Sequence, residues 1–167
     1  MTKSFTAEDL QAAQARLADL DKNLLAPAVI WDAMLRLANG APVEAHLVQV
    51  HVENRVTDWR ALWLTASRAV VGFASKDAPD WDAYDPDEEP DRASVWARRR
   101  TDIVAVELTN LATRKHRYIE TREWDTERAQ IVFRDGTTLD LPLVPGRLGR
   151  HGREDLSAII DVLCEGL

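Results

Sequence analysis

The sequence predicts an α+β fold: an N-terminal helical extension, about seven strands in one strongly bent antiparallel sheet, and a C-terminal helix capping that sheet. Three observations predict it. Apolar residues recur at helical spacing before residue 40 and again after residue 152. Between about 46 and 143 they alternate with polar residues instead, as half-buried strands require. The connections between alternating stretches are short, which favours a meander over parallel strands joined by crossover helices.

Thr6, followed by Ala7, Glu8 and Asp9, reads as a helix start with a capping hydroxyl and acids in the first turn. Leu10, Ala13, Leu17, Leu20 and Leu24 then form a seven-residue pattern over two heptads, read as packing along the sheet with a homodimer seam as the alternative. Pro27 suits the first turn of a second helix and Gly40 its end, with Ile30, Trp31, Met34, Leu37 and Ala38 as the apolar face. In Leu47–Glu53 the three valines point one way and Gln49, His51 and Glu53 the other. Strands follow over Arg60–Ala66, Ala69–Ser75, Ser94–Arg99 and Asp102–Thr109. The polar, basic stretch Asn110–Arg117 reads as a loop, and Tyr118–Trp124 as another strand. Ala129–Arg134 and Thr138–Leu143 flank Asp135-Gly136, a pair suited to the positive φ values of a tight primed turn. After a Gly/Arg loop from Pro145 to Gly152, the closing helix carries Leu156, Ile159, Ile160, Leu163 and Cys164 as its apolar stripe. The organisation is thus an extension over 1–40 packed on the sheet and a domain over 46–167, with an acidic insertion at 77–92.

The charge is localised. The chain holds 28 acidic and 21 basic residues, a net charge of −7. Residues 77–92 carry eight acids and one base and so sum to −7, which leaves 20 acids and 20 bases elsewhere. A charge-balanced body with an acidic loop does not attract polyanions, so nucleic acid is disfavoured as a partner. The single cysteine, Cys164, and a polar N-terminus without a hydrophobic signal region predict a reducing cytoplasm. Abundant alanine and arginine suggest a bacterial source.

The stretch Ala61-Leu62-Trp63-Leu64-Thr65-Ala66-Ser67-Arg68-Ala69-Val70-Val71-Gly72-Phe73 resembles the leucine-threonine-x-x-arginine hairpin of bacterial pleckstrin-homology-like and GRAM-like domains. Thr101–Leu108 resembles the strand that follows it, Ile131–Thr137 the penultimate hairpin, and the closing helix matches in position; the resemblance covers roughly 46–166. It implies a bent sheet closed by a helix and a binding role. Lipid-binding members cluster basic residues around the first hairpin, where this chain offers only Arg55 and Arg60. Members that bind peptides or partner proteins are therefore the better guide.

The expected function is a non-catalytic protein-interaction module. His46, His51, His116 and His151 are scattered, no zincin or Gly-x-Ser-x-Gly pattern occurs, and no cofactor or metal is expected. The partner-binding candidates are Trp81 and Tyr84, aromatics set in the acidic loop, together with Trp63 and Trp96, which read as facing outward from their strands, on a face that the N-terminal helices cover or, as the alternative, that a partner binds. The alternative is an anion or phospholipid-headgroup binder, with peripheral membrane contact, using Arg98, Arg99, Arg100, Arg147, Arg150 and Arg153. An enzyme of unknown class is a third, weaker reading.

Overall fold

Residues 43–76 supply three strands in direct succession because each pair is joined by two residues suited to a reversal. The computed structural model describes residues 26–83, 85, 87–115, 122–144 and 148–165. The heptad pattern at Leu10–Leu24, Tyr84 and Arg147 lie outside the described residues. Helix α1 (Ala28–Ala38) is followed by β1 (Val43–Glu53), β2 (Val56–Thr65), β3 (Arg68–Lys76) and β4 (Arg92–Arg99). A short 3₁₀ turn, Arg100–Asp102, leads to β5 (Ile103–Lys115), β6 (Arg122–Phe133), β7 (Thr138–Leu141) and helix α2 (Arg150–Cys164).

All pairings are antiparallel and sequential, but the strands form two sheets rather than one seven-stranded layer: β1-β2-β3-β4 and β5-β6-β7. The division falls at Arg100–Asp102, where the chain turns a corner. Arg100 fixes that corner, with its amide donating to Ser67 O (2.9 Å) and its guanidinium donating to Thr65 O, Val162 O and Glu44.

The β1–β2 loop is Asn54-Arg55, both at positive φ (50° and 70°), the backbone of a two-residue primed turn. The Asp135-Gly136 hairpin is wider than expected. Gly136 N donates to Phe133 O (2.8 Å) and Phe133 N to Thr137 O (2.9 Å), and only Gly136 has positive φ, so the turn has three residues ending in a left-handed glycine. The expected loop at Asn110–Arg117 is also corrected. β5 runs on to Lys115 and pairs with Arg122–Thr126, so β5 and β6 form one long hairpin arm. Polar side chains do not end a strand whose backbone partners continue.

The first sheet is apolar on both faces. Ala45, Leu47, Leu62, Leu64, Ala69 and Val71 pack toward the second sheet, where Leu156, Ile159 and Leu163 of α2 close the space. Ala61, Trp63, Val70 and Ala74 point the other way, under Ile30, Met34 and Ala38 of α1. Gly72 permits this contact: a Cβ there would lie 2.7 Å from both Ile30 Cδ1 and Met34 Sδ. α1 ends at Asn39 and Gly40, both left-handed. Leu35 joins its buried face, while Trp31 and Leu37 are only half-buried. Cys164, read as packing, is exposed at the last helical position. No helix among the described residues is long and apolar enough to cross a membrane.

Candidate functional site

The three described aromatic candidates, Trp63, Trp81 and Trp96, do not form one surface. Register explains why. Trp63 pairs with Val70 and Val70 with Ala97, whereas Leu62, Val71 and Trp96 are in line, so the two tryptophans occupy opposite faces of the first sheet. Trp63 is 0% exposed, packed edge-on against Trp31 beneath α1. Trp96 is 37% exposed and faces the space between the sheets, edge-on to Phe133 with ring centroids 6.1 Å apart.

The acidic loop is folded onto the body. Trp81 is 5% exposed, donates its indole N–H to Glu88 O (3.3 Å), and packs with Ala83 in the α1 core. Ala28 N donates to Ala83 O (2.9 Å), Thr57 Oγ1 to Ala78 O (2.6 Å), and Asp77 N to Asp91 Oδ2 (2.7 Å). Lys76 pairs with Glu88 and lies 6.0 Å from the Trp81 ring. Trp81 is thus an anchor for the loop rather than a projecting contact.

The described arginine candidates do not converge either. Arg98 donates to Asp135 Oδ2 (2.5 Å) and stacks over Phe133 (4.8 Å). That bond, with the Thr137 hydroxyl and amide, holds the Asp135 carboxyl far below the usual carboxylate range. Arg100 is committed to the corner, and Arg150 pairs with Glu154 one turn along α2, lowering that carboxyl as well. Arg99 is exposed and Arg153 half-buried. Among the described residues no group of three or more His, Cys, Asp or Glu side chains gathers as a metal site would.

What the fold does assemble is a cleft of about 880 Å³ between the two sheets, none of whose lining residues belongs to α2. Its apolar lining includes Phe73, Trp96, Leu139 and Leu141, and its charged lining Arg60, Arg128, Glu107 and Asp140. Arg60 lies in line with Gln49 and Phe73 across β1–β3. Its NH1 donates to Leu143 O (2.9 Å), while Gln49 Oε1 accepts from Leu143 N (2.5 Å). These two side chains hold the bent segment after β7 against the first sheet. Sequence reasoning missed both, because alternation in β1 assigns the valines to the covered face. In the structure Val50 and Val52 are exposed, at 48% and 51%, while Gln49 looks toward the second sheet. The available signal was Leu47, two residues before Gln49 on the same face and fully buried.

Of the described candidates, only Trp96 therefore lines the cleft. No family model, curated protein or solved structure matches the chain.

Proposed function

We propose that this chain is a non-catalytic binding module of the bacterial cytoplasm, with a pleckstrin-homology-like body, that receives an extended segment of a partner protein between its two sheets. The observation that carries this reading is the open cleft of about 880 Å³ floored by Phe73, Trp96, Leu139 and Leu141. Ligand sites of this size pair an apolar lining with a few placed polar groups, the composition seen around Arg60. Among the described residues, seven antiparallel strands in chain order, closed by an amphipathic C-terminal helix, support the pleckstrin-homology-like part of the reading. The contact is the cleft rather than the Trp81 loop, because Trp81 is buried in the protein's own core.

The test is selection of binders from a random peptide display library, followed by the variants Trp96→Ala and Thr138→Trp. The first removes exposed aromatic floor and the second fills the cleft from an exposed lining position. Peptides enriched on the natural protein lose binding at least tenfold on both folded variants. Equal capture by the variants, or no enrichment on the natural protein, refutes the reading.

A further inference from the structure

The binding reading leaves the ligand's chemistry open, and Arg60 bears on it. A guanidinium offers five donors. Here one hydrogen bond is formed, to Leu143 O, and the group lies 5.5 Å over the Phe73 ring. Its Nε is buried without a hydrogen-bond partner, its NH2 is neither buried nor bonded, and it makes no ion pair among the described residues. The neighbouring acids are not paired with it. Asp140 accepts from Gln130 (2.6 Å), Glu107 lines the cleft unpaired to Arg60, and Asp58, two residues earlier on the same strand, has a buried Oδ1 with no bond of its own. A partly desolvated cation with unspent donors is costly unless an anion completes it.

We infer, on the basis of the cleft reading above, that the ligand is the free C-terminus of a partner protein ending in apolar residues. Its terminal carboxylate meets Arg60, and its last side chains lie on Phe73, Trp96 and Leu139. A peptide terminus fits better than an acyl chain because the cleft sets the exposed side chains of Glu107, Thr109 and Thr138 beside its apolar floor, where they can pair with backbone amides. An acyl chain has no such groups to match. A carboxylate on a planar fork also gains two parallel hydrogen bonds, which an amide terminus does not.

The experiment uses the full chain with ¹⁵N-labelled tryptophan, assigning the Trp96 indole signal through Trp96→Phe. The probe is a pool of N-acetyl hexapeptides whose last two positions run through Val, Ile, Leu, Met and Phe, made once as free acids and once as amides. Dodecanoate is a third arm. The free-acid pool shifts the Trp96 signal and binds at least tenfold more tightly than the amides. Arg60→Gln abolishes that preference, and Arg60→Lys, which keeps the charge without the fork, retains part of it. Equal binding of acids and amides at Trp96 overturns the carboxylate inference while leaving the cleft reading intact. Dodecanoate binding without peptide binding overturns the peptide terminus in favour of a lipid acid. No shift with any probe overturns the inference, and the library selection then decides separately whether the cleft binds anything.

Discussion

Replacing Gly72 with alanine tests how closely α1 is fitted to the first sheet. The added Cβ would lie 2.7 Å from Ile30 Cδ1, 2.7 Å from Met34 Sδ and 3.3 Å from Met34 Cγ. Non-bonded heavy atoms settle at about 3.5–4.0 Å, so both side chains must withdraw by about 1 Å. Both are fully buried, which leaves little room to withdraw. Overpacking of this kind costs about 1–3 kcal/mol. The narrower unfolded ensemble of alanine returns about 0.4–1 kcal/mol. The expected net loss is about 1–2 kcal/mol, read as a fall in Tm of about 2–8 °C for a chain of this size. Urea unfolding followed by tryptophan fluorescence measures it, since Trp63 lies in the same core. Ile30→Val removes one of the two clashing atoms at a cost of about 0.5–1.5 kcal/mol alone. Combined with Gly72→Ala it should show a favourable coupling of at least about 0.5 kcal/mol. A Gly72→Ala protein as stable as the natural one, or strictly additive single changes, would refute the close-fit argument.

Arg55 occupies a left-handed position (φ 70°) in the β1–β2 turn. Arg55→Gly relieves that strain and should stabilise the fold by about 0.5–1 kcal/mol, measured as a higher urea midpoint at unchanged slope. Trp81→Ala removes the loop's apolar anchor and should cost about 3–5 kcal/mol, with limited proteolysis moving to the 77–92 segment before the body is cut. Asp135 is held below its ordinary value of 3.8 by Arg98 and Thr137. A carboxyl depressed on folding stabilises above its unfolded pKa and loses that contribution as pH falls toward the folded value. Asp135→Asn should therefore be less stable than the natural protein at pH 7, and the gap should narrow as pH falls below about 4. A gap that widens on acidification contradicts the assignment.

Strand positions were legible where alternation or turn residues were strong. The hairpin at Thr65–Arg68 follows from Ala66-Ser67 between two apolar runs, and Thr65 Oγ1 indeed accepts from Arg68 N (3.1 Å). Gly136 marked its turn for the same local reason. Other features depended on relations the sequence does not express. Alternation tells which neighbours share a face within one strand, but only register tells which face of β4 meets which face of β2. That is why Trp63 and Trp96 were grouped and the structure separates them. The division into two sheets rests on long-range bonds from Arg100 to Thr65 and Val162, 35 and 62 residues away. The Trp81 anchor depends on a core shared with residues 26–38, so its place in an acidic loop pointed to a partner contact instead. The clamp of Gln49 and Arg60 on Leu143 spans 94 and 83 residues and has no local signature.

The position of α1 ahead of the sheet it covers has a consequence for synthesis. Ile30 and Met34 leave the ribosome well before Val70 and Ala74 exist to receive them, and β4, which also packs near this helix, is complete only at Arg99. An eleven-residue helix is too short to persist alone in water. Its formation therefore waits on the later strands, and until then the nascent chain carries two unmatched greasy surfaces, a window in which chaperone contact and misassembly compete with docking.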